Sequence, residues 1–161
     1  MINSRESIKF AAKLLSVAMP DTENHQIFQR RKMMFDIFIK THFAGAHHLR
    51  DYPGDCENPH GHNWKVEVTV RATELDRYGM GIDFKVLKKI VGEVIAKLDH
   101  HDLNTLPYFQ DRNPSSEHIS RFIYDDIQPM LKNDRYALHC VTVYETDSQG
   151  LTYYGNQPSG V

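Results

Sequence analysis

Seven residues, Cys56-Glu57-Asn58-Pro59-His60-Gly61-His62, set a thiol beside two imidazoles. His60 and His62 stand two apart, so an extended backbone sends both rings to one side, where a single metal ion can take both nitrogens. Cys56 lies one short loop upstream. Beside a metal-bound substrate its thiol can serve as a proton-transfer base, a nucleophile or a fourth ligand. A buried inert thiol is the commonest fate of a free cysteine, but the neighbours Asp55, Glu57 and Asn58 are polar and predict an exposed loop. A third histidine, His47, ends the preceding strand-like segment and can close a three-histidine face. His42 and His48 are rival ligands, and His48 points the opposite way from His47 on an extended chain. Three neutral imidazoles with an open fourth position are a catalytic zinc arrangement, whereas the same three with Cys56 make a closed structural one. Zinc is the default ion because imidazole suits it and it needs no redox partner.

Three further carboxylates bear on the chemistry. In Leu98-Asp99-His100-His101-Asp102-Leu103-Asn104, Asp99 can orient the His100 ring and fix its tautomer. The alternative is a pair of histidines favoured by a helix C-terminus. Glu117 falls in the first turn of a helix, where a carboxylate is favoured in any case. Glu145 ends an apolar strand, either as a solvated strand end or as a bidentate acceptor for an amino-pyrimidine ring.

The elements that must position these groups follow from periodicity. Phe35, Ile37, Ile39, Thr41 and Phe43 alternate with Asp36, Phe38, Lys40 and His42, the period of a strand, and Trp64, Val66, Val68 and Val70 alternate with Lys65, Glu67, Thr69 and Arg71. Asp83 is placed to cap a helix whose apolar stripe runs Phe84, Leu87, Ile90, Val91, Val94, Ile95 and Leu98. A second helix starts near Ser116, buries Ile119, Phe122, Ile123 and Ile127, and is weakened at its end by Pro129. Residues 136–145 alternate again, with Leu138 and Cys140 opposite Val141, Val143 and Glu145. A turn at 147–150 then leads into Leu151–Tyr154. The order strand-strand-helix-helix-strand-strand predicts an α+β domain: an antiparallel four-stranded sheet with two helices on one face. Its two free sheet edges invite edge-to-edge assembly into a closed ring. Residues 1–32, with one short helix carrying Ile8, Ala11, Leu14 and Leu15 on a face, read as an extension. Residues 33–155 read as the domain and 156–161 as a tail.

The totals exclude several classes. A chain of 161 residues supports one domain with a real core. A formal net charge of −2, with no basic stripe, argues against nucleic acid. No apolar run approaches the roughly 20 residues of a membrane span, and Leu14–Met19 is too short for a secretory signal. Two cysteines suit a reduced, cytoplasmic enzyme better than a disulfide scaffold, and ten histidines raise the prior on a metal site.

In order along the chain, Phe43-Ala44-Gly45-Ala46-His47, Cys56-x-x-x-His60-Gly61-His62, Gly81-Ile82-Asp83-Phe84, Leu98–Asn104, Pro114-Ser115-Ser116-Glu117 and Tyr144-Glu145-Thr146 resemble the 6-pyruvoyl-tetrahydropterin synthase family. The three-residue gap before His-Gly-His resembles its bacterial 6-carboxy-tetrahydropterin synthase branch. The resemblance covers about residues 34–154. It implies the tunnelling fold and a homo-oligomer, usually a hexamer, of a small-molecule enzyme with neither nucleic-acid nor membrane partners. It implies one Zn2+ per subunit on His47, His60 and His62, a catalytic Cys56 assisted by Asp99 and His100, and a pterin anchored by Glu145 in a pocket lined by Ser115, Ser116 and Glu117. The implied substrate is 7,8-dihydroneopterin triphosphate. The implied products are 6-carboxy-tetrahydropterin, acetaldehyde and triphosphate, a step towards queuosine. A pyruvoyl-forming synthase and a non-catalytic pterin- or purine-binding module with structural zinc are the rival expectations. Gly45, His48 and Ser115 depart from the family's usual alanine, arginine and threonine.

Overall fold

The computed structural model describes residues 33–131 and 133–156; the expected N-terminal helix and the tail beyond residue 156 lie outside the described residues. The elements run β1 (Phe35–His47), β2 (His60–Ala72), α1 (Phe84–Ile95), β3 (His101–Asp102), α2 (Ser116–Ile127), β4 (Tyr136–Tyr144) and β5 (Gly150–Tyr153). The sheet has five strands in the order β3-β1-β2-β4-β5. The expected four strands are all present and antiparallel, and both helices form. The added strand is β3, two residues that pair in parallel with Gly45 and Ala46 at the edge of β1.

The register explains the core. Phe43 opposes Trp64, Thr41 opposes Val66 and Ile39 opposes Val68, so the odd positions of β1 and the even positions of β2 share one face. That face buries Ile39, Phe43, Trp64, Val66, Val68 and Val70 against the apolar stripes of the helices. Each fully buried side chain of this size contributes about 1.5–3 kcal/mol. The opposite face carries Asp36, Lys40, Lys65, Glu67 and Arg71, joined by the cross-strand ion pairs Lys40–Glu67 and Asp36–Arg71. A hollow of about 620 Å3 on that face is lined by Lys40, His42, Lys65, Glu67 and Tyr144. Lys40 pairs there with Glu67 and Lys65 with Asp147, so both lysines are neutralised locally.

In β4 the alternation changes phase. Thr69 pairs with Cys140 but Val70 pairs with Leu138, so the strand carries a bulge at His139. The extra residue turns Leu138 onto the core face together with Val141 and Val143. The sequence reading, which set Leu138 opposite those valines, is corrected by that bulge.

Both helices start where capping chemistry predicts. The Asp83 carboxylate accepts from Lys85 N–H at 2.7 Å, and Ser115 Oγ accepts from His118 N–H at 3.5 Å. The α1 stripe is shorter than expected. Phe84 is exposed, and the helix stops at Ile95, with Leu98 buried from the turn that follows.

Candidate metal centre and substrate cavity

The strand pairing that builds the core also builds the histidine cluster. His47 stands directly opposite His60, and Gly45 opposite His62. Opposed residues share a face, as do residues two apart, so all three imidazoles extend the core-facing rows that contain Phe43 and Trp64. Ring centroids lie 4.5 Å apart for His47–His60, 5.3 Å for His47–His62 and 4.9 Å for His60–His62. Trp64 floors the cluster edge-on, 5.0 Å from His47 and 5.2 Å from His62, and its indole N–H donates to Gly45 C=O.

Backbone carbonyls fix the tautomers. His47 Nδ1 lies 2.7 Å from Pro114 C=O, and His60 Nδ1 lies 2.7 Å from Asn58 C=O. A carbonyl can only accept, so each Nδ1 carries the proton and each Nε2 presents a lone pair. Burial, the largest influence on both, holds the His47 and His62 imidazoles below their ordinary range and so in the neutral form.

Glu145, the residue after β4, completes a group of four donors with His47, His60 and His62, whose ligand atoms all lie within 4.8 Å of one another. Its Oε1 is 3.1 Å from His62 Nε2 and 3.5 Å from His47 Nε2. Those two nitrogens are buried yet make no hydrogen bond. Tetrahedral zinc with bonds of about 2.0–2.1 Å needs donor–donor separations of about 3.4 Å. The residues present fit a divalent ion of that size. Cys56 is not among the four donors.

A cavity of about 440 Å3 adjoins the cluster, lined by His47, Leu49, Cys56, Ser115, Ser116, Glu117, Glu145 and residues 149–151. Five residues that sequence reasoning placed in catalysis or substrate binding therefore meet one metal-ligand candidate in one hollow.

The model of the family described as 6-pyruvoyl tetrahydropterin synthase matches residues 36–156. The chain belongs to this family. The 6-pyruvoyl tetrahydrobiopterin synthase of Homo sapiens is 40% identical over 106 residues, covering 63% of this chain and 72% of that protein. The 6-carboxy-5,6,7,8-tetrahydropterin synthase of Bacillus subtilis is 32% identical over 147 residues, covering 87% of this chain and 94% of that one. Among solved structures, the 6-pyruvoyl tetrahydropterin synthase of Caenorhabditis elegans superposes with a TM-score of 0.71 at 27% identity, covering 78% of this chain and 99% of that chain.

This tetrahydropterin synthase fold does not gather every expected residue. Asp99 and His100 form a dyad, with Asp99 Oδ1 2.9 Å from His100 Nδ1. Ala44 N–H donates to the same carboxylate at 2.9 Å, which is the chief reason the Asp99 carboxyl titrates below its ordinary range. His100 N–H donates back to Ala44 C=O at 2.6 Å. The dyad is thus clipped to the edge of β1, and His100 lies in a different hollow, with Ala44, Gly61, Asn63 and the candidate ligand His62. Within one chain it does not line the cavity that holds Cys56.

Two asparagines and an arginine position the site, and the sequence reading missed them. Asn104 pairs with both backbone groups of His48, accepting at 2.9 Å and donating at 3.0 Å. Asn113 does the same to Arg50, at 2.8 and 3.1 Å. The side-chain amides replace a strand partner where β1 has ended. Between them Leu49 N–H donates to Cys56 C=O at 2.8 Å, which anchors the thiol loop. The Arg50 guanidinium closes the clamp on the carbonyls of Asn104, Phe109 and Arg112.

Proposed function

We propose that the protein is a 6-carboxy-5,6,7,8-tetrahydropterin synthase. It takes 7,8-dihydroneopterin triphosphate and one water to 6-carboxy-tetrahydropterin, acetaldehyde and triphosphate, as a cytoplasmic step of queuosine biosynthesis. The observation that carries this reading is the single cavity in which Cys56, Glu145, Ser115, Ser116 and Glu117 meet His47. The Bacillus subtilis relative of that name, matched over 94% of its length, supports the branch, as does the three-residue gap between Cys56 and His60.

His47, His60 and His62 hold the divalent ion, one Zn2+ per subunit, with their Nε2 atoms. When bound, the ion supplies Lewis acidity to the hydroxyls of the substrate side chain. Glu145 accepts N–H bonds from the amino-pyrimidine edge, and Ser115, Ser116 and Glu117 line the ring's pocket. Cys56 as thiolate takes a proton from the side chain and returns it elsewhere. The pterin ring is thereby reduced at the side chain's expense and no redox cofactor is consumed. Asp99 holds Nδ1–H of His100, so His100 Nε2 is free to exchange a proton with the thiol. Because the dyad lies outside the Cys56 cavity of its own chain, this step draws on the dyad of a second copy. Sheet edges left open along β5 and along β1 before Ala44 support ring closure between copies, and a homohexamer is the assembly we assign.

Incubation with dihydroneopterin triphosphate tests the reading, with product masses and acetaldehyde as the readouts. Release of triphosphate without acetaldehyde would favour the pyruvoyl-forming reaction, which takes up no water and which the 40%-identical human relative keeps in view.

A further inference from the structure

We propose that Glu145 is the fourth ligand of the bound divalent ion in the substrate-free protein, and that it leaves that position when a pterin's amino edge takes its carboxylate. The second half rests on the functional reading above; the first does not.

Geometry carries the first half. Glu145 Oε1 sits 3.1 and 3.5 Å from two imidazole nitrogens, bracketing the tetrahedral edge of about 3.4 Å. Neither contact is aligned as a hydrogen bond, and both nitrogens are buried without another partner. Lone pairs and carboxylate therefore converge on a common point rather than on each other. Charge points the same way. The nearby lysine of β2, Lys65, which pairs across the sheet with Tyr144, is bound to Asp147 at 2.6 Å. Among the described residues, the ion pairs that involve Glu145 are those with His47 and His62. Among the described residues no lysine or arginine pairs with this carboxylate, and a divalent ion at the convergence point supplies a cation.

The second half follows from where Glu145 stands. It faces the histidines and also lines the cavity with Cys56, Ser115 and Glu117. Its side chain is 28% exposed and is attached at the first residue of the β4–β5 turn, where its backbone N–H donates to Gln149 C=O. An amino-pyrimidine edge takes both carboxylate oxygens at once. A carboxylate so engaged no longer serves the metal, so substrate arrival opens the fourth position that the reaction uses. In the resting protein the ion is capped.

Co2+ loaded in place of zinc reports its donors by its visible absorption. The wild-type, Glu145→Ala and Glu145→Gln proteins are compared without pterin, with far-UV circular dichroism confirming the fold and Glu145→Gln preserving the side chain's shape. The expected result is a changed Co2+ spectrum in Glu145→Ala and a metal affinity lower by at least about 10-fold. Identical spectra, with affinities within about twofold, overturn the ligand assignment. The second arm adds 7,8-dihydroneopterin, which lacks the triphosphate leaving group. The wild-type spectrum should then move towards that of Glu145→Ala, while the variant's own spectrum stays put. Pterin that binds without moving the wild-type spectrum overturns the exchange. Failure of pterin to bind overturns the exchange and the functional reading together, while the ligand assignment stands on the first arm.

Discussion

His47, with 3% of its side chain exposed, opposes His60 across two long strands, rests on Trp64 and is fixed through Nδ1 by Pro114. His100, with 81% exposed, sits on a turn at the sheet edge with φ +59°, a left-handed conformation that side chains other than glycine rarely adopt. The first histidine is finished within its own chain. The second is held in a strained backbone state with its ring in solvent and, among the described residues, paired with Asp99. Strain kept at an exposed titratable residue is the pattern of a group waiting for a partner. The candidate metal ligands are preorganised on strands, whereas the dyad proposed for proton transfer is left for the proposed assembly to complete.

Mixed oligomers give the largest test of that contrast. Cys56→Ala and His100→Ala should each lose 10²–10⁴-fold in turnover, roughly what a general acid–base group contributes. When the two variants are dissociated, mixed equally and reassembled, about a quarter of sites should regain both halves if they come from different copies. Activity that does not recover places the thiol and the dyad in one chain.

Stability should split the two histidines by sign. His47→Ala strips a buried ring from the core end and leaves the Pro114 carbonyl unpaired, a loss of about 1–3 kcal/mol. His100→Gly removes the left-handed penalty and should be neutral or stabilising by up to about 1 kcal/mol, while turnover falls. Urea unfolding of both variants, metal-free, checks the pair. Destabilisation of His100→Gly beyond 1 kcal/mol (an order-of-magnitude threshold) would mean the turn is built for stability.

The parts of the molecule that could be read from its sequence are those with a short period. Alternation in β1 and β2 gave the strand pair, and with it the meeting of His47, His60 and His62. Asp83 marked the start of α1, and the apolar spacing of Ile119, Phe122, Ile123 and Ile127 marked α2. β3 escaped because two residues, His101 and Asp102, carry no period. The β4 bulge escaped because a single extra residue reads as a change of phase. The proximity of Glu145 to the imidazoles needed the register of β4 against β2, which alternation alone does not set. The clamp escaped for a different reason. Asn104 and Asn113 reach residues 56 and 63 positions away through side-chain amides, and such bonds leave no local pattern.

That clamp gives the third test. Asn113→Ala removes two hydrogen bonds to the Arg50 backbone, worth about 1–3 kcal/mol together. It should also speed alkylation of Cys56 by iodoacetamide, because the thiol loop is tied to the same segment through Leu49. Asn113→Asp keeps the acceptor and loses the donor, so its loss should fall between those of Asn113→Ala and the parent. Equal alkylation rates in all three proteins would detach the clamp from the thiol.

The smallest effect is a pH dependence of the metal-free protein. Burial holds the native His47 and His62 below 6.5, the value the unfolded chain keeps. As pH falls, the unfolded chain takes up those protons first, so unfolding is favoured. The stabilising contribution is complete above pH 6.5 and is lost as pH drops through the lower native values, a change of about 1 kcal/mol or less. Thermal midpoints should be level above pH 7 and decline below 6.5 (the onset set by the ordinary imidazole value). Replacing both rings by glutamine should flatten that decline, while His100→Gln should leave it intact. A decline that survived the double replacement would place the titration away from the strand ends. The buried cluster would then lose its claim to be the half of the site that is finished before any partner or ligand arrives.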